Sequence, residues 1–180
     1  IVCNGEVYNF KDIRVQLVAL GHVFQSDSDT EVILKAYHQW GERCVEQFRG
    51  MFAFALYHQS QHKLILYRDR LGVKPLYYVW APEAGLFLFG STPAALVRHP
   101  RFQKQIDSTG LALYLQYGYI RAPYSIYQGM KKLRPGHCLE VCLASHTLTL
   151  KAYWDLSQVY AQAQPLAAEA PPYEQAVNEL

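Results

Sequence analysis

The sequence has 180 residues, enough for one ordinary domain with a sizeable core. Its composition, 51% hydrophobic against 18% charged, is that of a globular protein and excludes a disordered one. A formal charge of only +2 gives no support to a nucleic-acid or membrane-surface role, and the short basic runs MKKLRPGH and RFQKQ read as solvated faces.

In chain order, IVC reads as the end of a strand, followed by a helix with Asn9 as its cap, Phe10, Ile13, Leu17 and Leu20 at helical spacing, and Gly21 as its stop. VFQS reads as a short extended piece. Ser28 and Glu31 form the two ends of a capping box, opening a helix with Val32, Ile33, Ala36, Tyr37 and Trp40 on one side and Gly41 at its end. A shorter helix is expected over ERCVEQF. From Met51 the pattern changes to four strand-like runs, MFAFALY, KLILYR, PLYYVW and LFLFG, separated by turn-formers. Two of them are apolar throughout, which predicts a sheet covered on both faces. STPAALVRH suits a helix of one or two turns, and Asp107 or Ser108 caps another through GLALYLQYG. HCLEVCL and TLTLKAYW read as a final hairpin. Helices, then strands, then a helix, then strands make an α+β fold, with an antiparallel sheet sandwiched by helices. Beyond Trp154, SQVYAQAQPLAAEAPP is rich in Ala, Gln and Pro and resembles a linker, and YEQAVNEL starts a new amphipathic helix. The chain therefore reads as truncated at both ends, and it has no internal repeat.

Apolar runs fall far short of the roughly 18 residues that span a bilayer, and no leader pattern is visible. Cys3, Cys44, Cys138 and Cys142 form neither a paired CxxC zinc pattern nor a disulfide framework, so a reduced, cytoplasmic protein is expected, without membrane or nucleic-acid partners. There is no phosphate loop, GxSxG elbow, HExxH or dinucleotide glycine motif. The seven histidines lack metal-ligand spacing, and His22 and His137 read as turn residues. No nucleophile with an adjacent base can be named; Cys3 is expected to be buried.

Asn4 and Gly5 alone would read as the commonest two-residue hairpin turn. The strand pattern does not resume after Glu6, however, and VYN leads straight into a helix cap. The stretch offers a carboxamide donor, an unobstructed glycine N–H and a carboxylate within three residues, and side-chain and backbone donors converging on one point are what an oxyanion hole requires. In SDSDTE, Asp29 occupies a first helical turn, where the helix dipole alone favours a carboxylate. With Asp27, Glu31 and Glu6 in view, two carboxylates brought together would also hold a ligand ammonium through charge-assisted hydrogen bonds. RDRLGVKPLYY reads as structural: a strand end, a charged turn with a glycine, and Pro75 launching an aromatic strand, with Arg68 and Asp69 paired as a clamp and Lys74 facing solvent or a partner.

CNGEVYNF, LVALGHVFQSDSDTEVILKAYHQWG, FRGMFAFALY, RDRLGVKPLYY, GYIRAPYSIYQGMKKLRPGH and YWDL follow one another as in the glutaminase domain of glutamine-hydrolysing asparagine synthetases. The resemblance runs from Ile1 to about Asp155. Those domains are class II amidotransferases of the N-terminal-nucleophile type, and the resemblance implies an αββα sandwich of antiparallel sheets, truncated at its N-terminus. It divides the chain into the C-terminal portion of an amidotransferase domain (1–156), a linker (157–172) and the start of an ATP-dependent synthetase domain (173–180).

By the same resemblance, Asn4 donates its side-chain amide and Gly5 its backbone N–H to the oxyanion, and Glu6 and Asp29 hold the α-ammonium of glutamine. The family's nucleophile, an N-terminal cysteine whose own α-amine accepts the proton, would precede this chain, as would an arginine for the glutamine carboxylate; the fragment alone is then expected to be inactive. Ammonia would pass to the synthetase domain, where ATP and Mg activate aspartate; no cofactor and no metal are expected in this segment. The partners implied are glutamine, the chain's own synthetase domain and, as a further option, a second copy in a homodimer. The sequence departs from the family at Ser91-Thr92-Pro93, where Ser-Glu is usual, and near His58, where an acidic residue is common. Two other readings stay open: an amino-acid-binding or regulatory module without catalysis, and a related amidotransferase acting on another carboxylate.

Overall fold

The computed structural model describes residues 1–167. In chain order its elements are β1 (Val2–Val7), α1 (Phe10–Ala19), α2 (Asp29–Trp40), β2 (Gly50–His58), β3 (Lys63–Arg68), β4 (Tyr77–Ala81), β5 (Leu86–Gly90), α3 (Pro93–Leu96), α4 (Ser108–Tyr117), β6 (Met130–Lys132), β7 (His137–Cys142), β8 (Thr147–Ala152) and α5 (Leu156–Ala167). The strands form two antiparallel sheets, one ordered β1-β2-β3-β7-β8 and the other β5-β4-β6.

Period-two alternation assigns the apolar strands to two cores at once. Along β2, Phe52, Phe54 and Leu56 pack with Ile13, Leu17, Val32 and Ile33 from α1 and α2. The intervening Ala53 and Ala55 face the second sheet and pack with Leu66, Leu139 and Val141 of their own sheet and with Leu76 and Tyr78 from across the interface. Ile65 and Tyr67 of β3 join the helical side, and Phe54 stacks on Tyr67 with ring centroids 4.9 Å apart. The outer face of the second sheet is covered by α3 and its neighbours through Val79, Leu96, Met130, Phe102 and Tyr127. Helices, sheet, sheet and helix stack in that order, the αββα arrangement expected.

Several local expectations are corrected. Ser28 does cap α2, accepting the Thr30 N–H at 3.1 Å, but Glu31 turns back to the N–H groups of Gln25 (3.0 Å) and Ser26 (2.7 Å), so the Ser28–Glu31 box does not close. Asn9 precedes α1 without capping it; its amide instead holds the Gln47 carbonyl and the Arg49 N–H. ERCVEQF is a 3-10 turn, Gly41–Gln47. In MKKLRPGH, Met130–Lys132 is a strand, and Lys132 is not solvated: its ammonium reaches the Ile120 carbonyl and lies 5.4 Å from the centre of the Tyr77 ring. Helix α5 occupies the first part of the segment read as a linker, opened by Asp155, whose carboxylate accepts the Ser157 N–H at 2.7 Å, and continued by helix-forming Ala and Gln. The expectation for 173–180 lies outside the described residues.

Candidate active site

The site begins with the edge position of β1. Among the described residues its partner strand is β2, on one side only, in the register Asn4↔Ala53, Gly5↔Phe52, Glu6↔Met51. The strand thus runs through Asn-Gly-Glu instead of ending before it, and the hairpin reading of Asn4 and Gly5 is excluded.

The directions of the N–H groups follow from two bonds. The Tyr8 N–H donates to the Arg49 carbonyl at 2.7 Å, toward β2, whereas the Val7 N–H points the other way, to Asp29 Oδ2 at 3.0 Å. Backbone donors alternate along a strand, so the Gly5 N–H lies on the same free edge as that of Val7, about 6.8 Å along it. The opposite residue agrees: the Phe52 carbonyl is turned to β3, where it accepts the Asp69 N–H at 2.8 Å. Residue 5 has to be glycine, since at φ +137° a Cβ would sit 2.1 Å from the Met51 carbonyl oxygen.

Side chains alternate too. Cys3 and Val7 face the helical layer, which places Asn4 and Glu6 on the side of the second sheet. Asn4 Nδ2 donates to Ser91 Oγ at 2.9 Å, and both residues line a cavity of about 270 Å³ between the edges of the two sheets, with Cys3, Leu76, Phe89 and Gly90. Asp29 arrives from the other side, as the first residue of α2, so its carboxylate reaches the edge from the helical layer. Glu6 is exposed, and its carboxylate has no hydrogen bond or ion pair among the described residues. Asn4, Gly5, Glu6 and Asp29 therefore meet along one strand edge, although of the four only Asn4 lines the cavity itself.

The other acidic residues of SDSDTE are occupied elsewhere. Asp27 pairs with Arg14 at 3.0 Å. Glu31 lies below the usual carboxylate range because the Gln25 N–H and the Ser26 hydroxyl bind it. The cysteines present no ready thiolate at this edge: burial, and then the charge of Asp29, push Cys3 up to about 11. Burial raises Cys44 to about 12 and Cys138 to about 11. Cys142 is held low by hydrogen bonds from Ser145, but it stands at the β7–β8 hairpin, three strands away in the sheet.

RDRLGVK is structural, in a different way from that expected. Arg68 and Asp69 do not pair with each other. Arg68, buried, donates to the carbonyls of Lys74, Gly72 and Leu133, and Asp69, buried, accepts the N–H groups of Leu71, Val73 and Lys74 at 3.2, 2.9 and 3.0 Å. This loop carries the chain from β3 in the first sheet to β4 in the second, and so fixes the second sheet, and Ser91 after β5, opposite Asn4. The role of Ser91 escaped the sequence reading because the contact spans 87 positions and no local pattern marks it.

A family model described as a glutamine amidotransferase domain matches residues 1–154. Asparagine synthetase [glutamine-hydrolyzing] 3 of Bacillus subtilis (strain 168) is 41% identical over 157 residues, which are 87% of this chain and 25% of that protein. A putative asparagine synthetase [glutamine-hydrolyzing] 2 of Methanocaldococcus jannaschii is 35% identical over 158 residues, 87% of this chain and 30% of that protein. The chain thus spans a quarter to a third of the length of these relatives. The structure of a glutamine phosphoribosylpyrophosphate amidotransferase from B. subtilis superposes with a TM-score of 0.58 at 17% identity, over 85% of this chain and 28% of that one, a likeness of fold. Joined to a strand edge that gathers a carboxamide, a free glycine N–H and two carboxylates, these matches establish that the chain belongs to the glutamine amidotransferase domain family.

Proposed function

We propose that the free edge of β1 binds glutamine, within a glutamine-hydrolysing asparagine synthetase whose remaining parts lie outside this chain. The observation that carries the reading is the placement of the Gly5 N–H and the Asp29 carboxylate on one strand edge, one two-residue repeat apart. That repeat, about 6.8 Å, suits an extended glutamine, whose reacting amide carbon and α-nitrogen are about 5 Å apart, with hydrogen-bond length left over at the ends.

In this arrangement the side-chain carbonyl oxygen of glutamine sits off the edge, on the side of the second sheet, where the Gly5 N–H and an Asn4 N–H converge. The α-ammonium lies farther along, between Asp29 from the helical layer and Glu6 from the opposite face. A thiolate from outside the described residues forms a C–S bond at the amide carbon, and the carbonyl π pair moves onto oxygen. Asn4 and Gly5 hold that charge in place without reorganising. Return of the pair, with protonation of nitrogen, expels ammonia and leaves a thioester, which water hydrolyses to glutamate. ATP and Mg belong on this reading to the synthetase part that turns aspartate into asparagine. Four free cysteines support a cytoplasmic setting.

The test is product analysis on the full-length protein. Glutamate released from glutamine, and asparagine formed when aspartate and ATP are added, is the expected result. Glutamine binding without glutamate release would make the domain a binding or regulatory module, and glutamate release without asparagine would assign another acceptor.

A further inference from the structure

Resting on that reading of the β1 edge, we propose that Ser91 is a positioning residue for the oxyanion donor, locking the Asn4 carboxamide in the orientation the reaction needs. Asn4 is exposed on an edge strand, and the terminal torsion of an asparagine is broad, so an unheld amide would point its donors in many directions. Among the described residues its one side-chain hydrogen bond is to Ser91 Oγ, at 2.9 Å. That bond takes one of the two N–H groups and fixes the plane of the amide, leaving the second N–H with a single direction. A donor aimed in advance is worth more to a transition state than one that must be collected from solvent.

Ser91 is itself well placed to serve as an anchor. It follows Gly90, which pairs with Tyr77 in the second sheet, and it precedes Pro93, the first residue of α3, by two positions. Its backbone is therefore pinned from both sides, and Leu96 of α3 closes on Gly90 to within 3.3 Å of where a Cβ would stand. The bond joins the two sheets at the rim of their shared cavity, so the packing between sheets is transmitted to one N–H.

The experiment is a double-mutant cycle on glutaminase turnover in the full-length protein, with Ser91→Ala, Asn4→Ala and the pair. Ser91→Ala should lower kcat about tenfold, with KM for glutamine changed less than about twofold, as expected for an interaction made in the transition state. In the Asn4→Ala background the same change should cost nothing further, because the group it aims is gone. Ser91→Thr keeps the hydroxyl and should restore kcat to within about threefold. If Ser91→Ala folds poorly, Ser91→Cys carries the test through its weaker acceptor, with the same expected loss. Equal losses from Ser91→Ala in both backgrounds, or a parental rate in Ser91→Ala beside a slowed Asn4→Ala, would overturn the positioning role alone. A parental rate in Asn4→Ala would overturn the site reading and this inference with it.

Discussion

Within a strand, the side chain of one residue and the N–H of the next point in different directions, and the site depends on that difference. Asn4 projects toward the second sheet while the Gly5 N–H leaves the edge in the plane of the first. Replacing Asn4 by Ala in the full-length protein should lower glutaminase kcat about 10²–10³-fold, the usual effect of removing one oxyanion donor; an unchanged kcat would remove Asn4 from the hole. Asp29 does two things, holding the Val7 N–H and offering charge to a ligand. Asp29→Asn keeps an acceptor for that N–H and removes the charge. It should raise KM for glutamine about tenfold with a small effect on kcat, and equal KM values would mean that Asp29 only secures the start of α2 against β1. Gly5 was readable in the sequence as an unobstructed donor. Its second constraint, the lack of room for a Cβ beside the Met51 carbonyl, comes from a strand 46 positions away and has no local signature.

Among the elements, those with strong internal patterns were legible: α2 by its apolar stripe, β2 and β3 by apolar runs that fill two cores, and the β7–β8 hairpin by its two strand-like runs. Those made by distant partners were not. Met130–Lys132 has two lysines in three residues and becomes a strand because β4 lends it an edge, in the register Tyr77↔Lys132. Glu31 complies with the capping-box spacing but finds the Gln25 and Ser26 N–H groups closer to hand. The RDRLGVK loop shows how much a buried acid can organise. Asp69→Ala would leave three part-buried N–H groups without their acceptor, and should destabilise the fold by roughly 2–3 kcal/mol in urea titration. A loss under about 1 kcal/mol would mean that water or a rearranged loop replaces the carboxylate.

Across the whole molecule, two devices hold the layers in register. One is the Arg68–Asp69 loop between the sheets. The other is a square of charges in which the ammonium groups of Lys63 and Lys151 each touch both Glu42 and Glu140, at 2.7–2.9 Å, joining the turn after α2 to β3, β7 and β8. Burial would raise the Glu42 carboxyl, but hydrogen bonds from Lys63 and Lys151 outweigh it and bring the group from 4.5 down to about 2. A depressed acid stabilises the folded state above its ordinary pKa and loses that contribution as pH falls through its folded value. The stability difference between the parent and Glu42→Gln should therefore be constant above about pH 5 and vanish toward pH 2; allowing for partial exposure it should be about 1 kcal/mol at neutral pH. A difference independent of pH would show that the square contributes no charge-dependent stability. These supports fix, relative to one another, the sheet that carries β1, the turn after α2 and the second sheet that precedes Ser91, and on that framework rests the claim that Asn4, Gly5 and Asp29 share one ligand. The most direct measurement of that claim is a crystal structure of the full-length protein carrying a covalent adduct of a diazoketone analogue of glutamine. Its carbonyl oxygen should lie about 3 Å from both Asn4 Nδ2 and the Gly5 nitrogen, with its amine against Asp29. An adduct whose oxygen faces away from those two donors, or whose amine is out of reach of Asp29, would contradict the account.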